Sequence, residues 1–507
     1  MFNRFLATPL SALLDANTGQ VSPPAATPLL EQALEQANKV AAYSSLNITE
    51  FSKAPFLEKK HILSQAARMN ADPFLARCVN GQPPEIIHVS SGSGGVPTFW
   101  GRSVADEVAI ATRFEQIFVD AFSVDGNAPT LAIVALPMGS WVGGLFTTSC
   151  IRYLSQKGHP ISVIAPGNNV PEILRIVSTL GASFRQIVLL AYPPFAKTCI
   201  DAGIAQGIAW SEYSMKFVFA GEVFSEEWRT LISARAGVKN PLKDVVSIYG
   251  TADAGVLANE TPLSALIRAT LASKPDMARA LFKKDRIPSL MQYDPLSRYF
   301  EVEPESGTLV ITTMPHADVG APSFVSMPLL RYSIGDAGGL IGFDEMMEFM
   351  KVNAGLDAVS EAVKSGSVIR KLPFVWVFGR AFWTVSLYGA NVYVENVMAG
   401  LEQEHVHSLV TGKFVLDVNE DPDNVRLKIH VELAAVKSNL VADDGSRRDA
   451  DDVALILARS ILGELRKLNS EFAHYVPEDQ QLPIVRLHPY GEPYYFPVGV
   501  KHDYMKK

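Results

Sequence analysis

Between about Pro84 and Arg380, short apolar runs alternate with amphipathic ones, and this alternation restricts the possible folds more than any other feature of the chain. The runs TLAIVALP, PISVIAPG, RQIVLLAYP, MKFVFAG and VVSIYG have the length and β-branched content of buried strands. Between them, GLFTTSCIRYLSQKG, VPEILRIVSTLG and SEEWRTLISARAG repeat apolar residues at helical spacing. Strand, helix and strand in series predict βαβ units and a largely parallel sheet, because parallel neighbours need a crossover long enough to hold a helix. Ligands in such sheets sit beyond the carboxyl ends of strands, where several glycine-containing segments of this chain fall.

Two regions of different character flank this one. From Thr27 to Asn70 the pattern is helical, as in LLEQALEQANKVAAY, with a break forced at Pro55. After Arg380 come a helical YVENVMAGLEQEH, alternating KFVLDV and VRLKIHVEL, a long helix from Asp452 to about His474 and a last strand, LPIVRLH. The expected fold class is α/β with an α+β C-terminal module. Its parts are a helical lead-in over 1–83 packed on the large domain, a large layered sheet and helix domain over 84–380 and a small C-terminal domain over 381–507.

Composition narrows the chemistry. A chain of 507 residues, 48% hydrophobic, is long enough for more than one core. The net charge of -8, with no basic stripe, argues against a nucleic-acid surface and leaves small molecules as the expected partners. Cys78, Cys150 and Cys199 lack C-x-x-C spacing, so neither zinc nor a disulfide framework is expected and a reducing compartment fits. The N-terminal apolar run is short and broken by Pro9 and Asp15, and no run reaches the length of a membrane span. The expectation is a cytoplasmic protein without a membrane partner.

The stretch HVSSGSGGVPTFWGR, His88 to Arg102, is the first candidate site. Gly92, Gly94 and Gly95 let the main chain approach a ligand, and Ser90, Ser91, Ser93 and Thr98 add hydroxyls, a combination suited to phosphate oxygens. Glycine–serine stretches are more often turns or linkers. The strand-like EIIHV before this one and the Val96-Pro97-Thr98 that closes it favour a built loop. It is not a Walker loop, having no lysine and no matching spacing.

Further segments follow in order, each with a commoner explanation when taken alone. SIYGTADAG sets Tyr249, Gly250 and Thr251 at a strand end with Asp253 beyond, a carboxylate able to hold Mg²⁺ or simply a surface turn. MPLLRYSIGDAGGLIG carries Asp336 between glycines after an apolar strand, suited to both hydroxyls of a ribose or to an Asx-turn. VWVFGRAFWTVSLYGANVYVENV has Arg380 at the expected boundary and a second turn at Gly389. That arginine suits a phosphate or ribose contact that senses domain orientation, or a surface ion pair. GEPYYFPVGVKHDYMKK ends on Lys501, a solvated terminal lysine or a group that neutralises charge on an α-phosphate. PMGSWVGG offers an acid pocket of Met138, Gly139, Trp141, Gly143 and Gly144, with Trp141 equally readable as a core aromatic.

The order of phosphate loop, Tyr-Gly carboxylate, ribose aspartate, hinge arginine and terminal lysine resembles the adenylate-forming superfamily, and within it the phenylacetate-CoA ligase branch. SSGSGGVPT is similar to that branch's S-S-G-T-T-G-x-P-T loop, and PFLEK at Pro55 to Lys59 to its Pro-Phe-x-x-Lys element. GEVFSEEWR resembles the adenine-side segment, with Gly221 and Glu222; YGTAD stands for Tyr-Gly-x-[Thr/Ser]-Glu and LLRYSIGD for Arg-Tyr-x-x-x-Asp. The resemblance implies a large N-terminal domain and a small mobile C-terminal one. It also implies ATP and Mg²⁺, an aryl or arylacetic acid as substrate, and coenzyme A, a carrier protein, a protein cysteine, a reductase or an amine as acceptor. Lys501 and Arg380 take the catalytic positions and Asp253 the metal position. Departures are Gly94 for threonine, Val96 for lysine, Asp253 for glutamate, Ala252 for a hydroxyl residue, and Phe382 and Trp383 for acidic hinge residues. They keep open a nucleotide- or acyl-binding protein without turnover. A Rossmann oxidoreductase is disfavoured, since no G-x-G-x-x-G opens a helix.

Overall fold

The computed structural model describes residues 2–14, 18–68, 73–90, 98–124, 126, 129–284, 286–315, 326–380, 384–388, 390–418, 426–435, 449–497 and 502–505. Its strands are β1 (Leu57–Glu58), β2 (Ile86–Val89), β3 (Phe99–Arg102), β4 (Thr130–Val134), β5 (Ile161–Ile164), β6 (Gln186–Ala191), β7 (Met215–Ala220), β8 (Val245–Thr251), β9 (Gly255–Asn259), β10 (Ser289–Gln292), β11 (Arg298–Val302), β12 (Thr308–Thr313), β13 (Tyr332–Ile341), β14 (Phe374–Arg380), β15 (Thr384–Leu387), β16 (Ala390–Tyr393), β17 (Val410–Val418), β18 (Leu427–Leu433) and β19 (Ile484–His488).

Twelve of these strands form one sheet in the order β11-β12-β13-β14-β10-β9-β8-β7-β6-β4-β5, with β1 paired to β13. The expectation of a largely parallel sheet holds for one half only. From β5 to β8 every pairing is parallel, joined through the helices Val142–Gln156, Val170–Leu180, Pro193–Ala205 and Glu226–Ala236. Beyond β8 the direction reverses, because residues 252–254 turn the chain straight into β9, and the ladder runs antiparallel out to β11. Strands β4 and β6 are buried along their whole length. Their alternate residues feed two cores: Ala132, Val134, Val188 and Leu190 on one face, Leu131, Ile133, Ile187 and Leu189 on the other.

The lead-in is not wholly helical. Pro55 ends its first part, and Leu57 and Glu58 add a parallel strand beside Tyr332 and Ser333. The C-terminal elements build their own core from residues between Val385 and Tyr504. There β17, β18 and β19 form a three-stranded sheet under the helices Val394–Leu401 and Ala450–Leu468. The long C-terminal helix expected from Asp452 ends at Leu468, and Asn469 caps a second one, Ser470–Tyr475, by accepting the Phe472 amide. Among the described residues no helix is long and apolar enough to cross a membrane.

A buried ion network ties the end of β7 to β8 and β9. Arg229, 1% exposed, donates to Glu226 at 2.9 Å, to Glu260 at 2.5 Å and to the Val245 carbonyl, while Arg268 donates to Glu226 and to Phe224 O at 2.6 Å. Removing one partner from a buried pair leaves an uncompensated charge. Arg229→Leu is therefore expected to lower stability by about 3–5 kcal/mol in urea titration; a loss within 1 kcal/mol would mean that the two carboxylates find other partners.

The C-terminal core meets the large sheet through Lys197 Nζ on Val410 O at 2.9 Å, Arg286 on Glu395 at 2.5 Å and the Ser225 hydroxyl on Glu402. Glu402 is buried; burial pushes its pKa up to about 8, with Glu227 adding to the rise and Ser225 and Arg268 opposing it. A carboxyl whose pKa is raised on folding stabilises fully below the unfolded value and loses that contribution as pH rises through the folded one. Denaturation midpoints measured from about pH 4 to 9 should fall with rising pH in the parent, and fall less in Glu402→Gln. Parallel curves for the two proteins would remove Glu402 from the pH dependence.

Candidate functional site

The hairpin β2–β3 brings the two ends of the glycine stretch together. Ser90 N donates to Thr98 O at 2.9 Å, and Thr98 N donates to Ser90 Oγ at 2.9 Å. Both residues are buried, so the Ser90 hydroxyl serves as the clasp at the base of the stretch. Ser91, Gly92, Ser93, Gly94 and Gly95 lie outside the described residues, as does Lys501. Lys59, the lysine of PFLEK, opens the helix Lys59–Arg68, and its Nζ lies 3.4 Å from Ser90 Oγ.

Arg102, at the end of β3, joins this hairpin to the large sheet. Its buried guanidinium donates to the carbonyls of Ala252 and Asp253, each at 2.6 Å, and to Gly101 O at 2.8 Å. Burial pulls the pKa of Arg102 down, and Asp106 and Asp253 pull it back up. The turn it grips is tight. Gly255 has φ +75°, and a side chain there would strike Ile110. Thr251 Oγ1 accepts the Ala254 amide at 3.0 Å, which makes Thr251 a brace of the turn. At Gly250 a Cβ would lie 3.0 Å from Gly255 O.

Two tyrosine–carboxylate pairs lie here. Tyr249 OH donates to Asp336 Oδ2 at 2.7 Å, and Tyr332 OH donates to Asp253 Oδ2 at 2.5 Å. Three residues read from the sequence as nucleotide and metal positions are thus brought together, with Tyr332 as a fourth. One sequence reading is corrected: Asp336 does not follow a strand but sits inside β13, opposite Arg380 of β14 in the ladder. The run Gly335–Gly339 reads as a turn, yet it pairs because Gly338 and Gly339 leave room for Trp376 of β14, where any Cβ would clash. Arg331 turns away from the site to pair with Glu301 at 2.8 Å.

The proposed acid pocket follows β4. Val89 N donates to Ser140 O at 2.8 Å, and Val89 bridges to Trp141, so the segment adjoins the base of the glycine stretch. Trp141 is half-buried and outside the apolar cores, Met138 is half-buried, and Gly139 takes φ +83°. The space at Gly144 is already occupied: a Cβ there would meet Pro137 O at 2.5 Å and Met138 Sδ at 2.6 Å. At Gly143 an added Cβ would lie 3.6 Å from Leu136, in ordinary van der Waals contact. Gly144 therefore lets the helix start pack on the strand exit and makes no room for a ring. In the segment GEVFSEEWR, Gly221 has φ +91°, and Glu222 Oε2 accepts the Tyr504 hydroxyl at 2.6 Å.

Sequence reasoning missed Arg102 and Tyr332, whose partners at residues 252 and 253 are distant in the chain; Tyr332 alone had a signal, the Arg-Tyr-x-x-x-Asp spacing. Among the described residues no group of three or more His, Cys, Asp or Glu could hold a metal ion. Mg²⁺ at a phosphate site needs only one or two carboxylates, with phosphates and waters completing its shell, and Asp253 is the carboxylate that would be available for it here.

No protein-family model and no curated sequence matches the chain. Solved structures do. 2-Hydroxyisobutyryl-CoA ligase in the postadenylation state in complex with R3-HIB-AMP is similar at TM-score 0.62 and 16% identity, over 96% of this chain and 91% of that one. The same ligase in that state with 2-HIB-AMP gives TM-score 0.60 and 17% identity over 96% and 90%. In the thioesterification state, with 2-HIB-AMP and CoA, it gives TM-score 0.50 and 15% identity over 96% and 91%. With 96% of its residues matched, the chain has the adenylate-forming ligase fold.

Proposed function

We propose that the protein activates a carboxylic acid with ATP, forming an acyl-adenylate and pyrophosphate, and then passes the acyl group to a thiol such as that of coenzyme A. The observation that carries this reading is the pair of tyrosine-held carboxylates, Asp336 and Asp253, beside the clasped ends of the glycine stretch. An aryl or arylacetic acid is the substrate class, on the strength of the motif resemblance. A cytoplasmic setting goes with the three free, buried cysteines.

In this reading the acid's carboxylate attacks the α-phosphate, and the protein's task is to align two anions and neutralise the charge that gathers between them. Asp336 accepts the ribose hydroxyls, Tyr249 fixing the direction of its second oxygen. Asp253 would hold Mg²⁺, which when bound offsets phosphate charge. Lys501 supplies the cation at the α-phosphate, and Arg380, ending β14 opposite Asp336, stands at the hinge to a small mobile domain over 381–507. The greater likeness to the postadenylation state than to the thioesterification state supports reading the contact of Tyr504 with Glu222 as belonging to the stage after the adenylate forms and before the thioester does.

The test is ATP–pyrophosphate exchange with Mg²⁺ and pooled aromatic, arylacetic and fatty acids. Acid-dependent exchange is expected, strongest in an aromatic or arylacetic pool. Lys501→Ala should lower it by roughly 100- to 1,000-fold while ATP binding persists. ATP binding without exchange in any pool, in folded protein, would favour a binding protein that does not turn over.

A further inference from the structure

Arg77 is a buried arginine that, among the described residues, leaves two of its donor nitrogens unused. It is 7% exposed, and its Nε and Nη1 have no hydrogen-bond partner. Among the described residues it takes part in no ion pair within 4.0 Å. Its guanidinium lies 5.3 Å from the ring centre of Trp100 and 5.4 Å from that of Phe74. Burial pulls its pKa down, and Cys78, Asp253 and Tyr332 are the groups that act against this. Stacking on aromatic rings favours an arginine but leaves its donors unused, and buried donors left unused are costly.

The surroundings indicate what would use them. Trp100 is in β3, two residues after Thr98, where the glycine stretch closes. The same ring has Lys59 Nζ at 5.8 Å from its centre, and Lys59 reaches Ser90 at the other end of the stretch. Tyr332 packs edge-on to Trp100 at 6.4 Å and donates to Asp253. One aromatic plate therefore carries two cations, bounded by the ends of the glycine stretch and by the carboxylate suited to Mg²⁺. The stretch itself has no lysine or arginine, and Val96 and Gly94 stand at the positions where lysine and threonine stand in the motif it resembles.

We propose that Arg77 binds the terminal phosphates of the nucleotide, its planar fork supplying the contacts that the glycine stretch lacks. This rests on the nucleotide reading above. An arginine that contacts only the outer phosphates discriminates ATP and pyrophosphate from AMP, whereas a packing arginine does not.

The test is calorimetric titration of the full chain with Mg-ATP, Mg-pyrophosphate and AMP, in the parent, Arg77→Gln and Arg77→Lys, with thermal unfolding run alongside. Arg77→Gln is expected to weaken ATP and pyrophosphate roughly 10- to 100-fold and leave AMP within about twofold. Arg77→Lys, which keeps the charge but not the fork, should fall between and serves in place of Arg77→Gln if that variant does not fold. Equal weakening of ATP and AMP, or no weakening, in either folded variant overturns the role of Arg77 and leaves the nucleotide reading standing. A folded parent that binds neither ATP nor pyrophosphate overturns both.

Discussion

The site depends on a reciprocal tie between two parts of the chain. Residues 249–253 give the hydroxyl of Tyr249 to Asp336, and residues 332–336 give the hydroxyl of Tyr332 to Asp253. Each segment has the form Tyr-x-x-x-Asp, and each tyrosine serves the other segment's carboxylate. In the ladder, β8 and β13 are separated by β9, β10 and β14. At about 4.8 Å per strand they would stand far apart in a flat sheet. Both hydrogen bonds therefore require the antiparallel half to curl back over the end of β8. The single residue pair joining β9 and β10, Gln292 with Asn259, gives the sheet a place to bend.

Arg102 makes the curled arrangement useful by fixing the hairpin to it. The same few residues start a helix: Ser103 caps Val104–Gln116, and Asp106 closes the capping box and reaches the Ser326 amide at 3.4 Å. One turn of chain thus orders the strand leaving the glycine stretch, the helix packed behind it and the carbonyls before β9. Burying a guanidinium here costs desolvation, which the three carbonyl acceptors and the nearby Asp106 and Asp253 offset in part.

The parallel half was legible in the sequence because its central strands are buried on both faces and all of its strands are separated by helices, so element type and succession along the chain follow from periodicity. The antiparallel half was not. A short apolar run has the same appearance whether its neighbour is parallel or antiparallel, and residues 335–339 become a strand only because Trp376, far along the chain, fits over their glycines. The break at Asn469 had a local signal, a capping residue inside a helical pattern, which the apolar periodicity on either side obscured. In the site, Tyr249, Asp253 and Asp336 could be picked out by residue type, but their pairing spans 79 and 87 positions. Ser90 and Thr98 were read as ligand groups, whereas their hydroxyl and amide close the hairpin on itself, a use that depends on strand register.

The reciprocal tie also explains why a shorter carboxylate stands at residue 253. A glutamate would carry its oxygens one methylene, about 1.5 Å, further from the turn. With Ala252 O and Asp253 O held by Arg102, the main chain has no freedom to retreat by that amount. The Tyr332 hydroxyl, 2.5 Å from Asp253 Oδ2, would then be overrun. Aspartate at this position is thus the residue that lets the turn, the arginine and the tyrosine coexist. The shorter side chain gives up reach for a direction fixed by the Tyr332 hydroxyl.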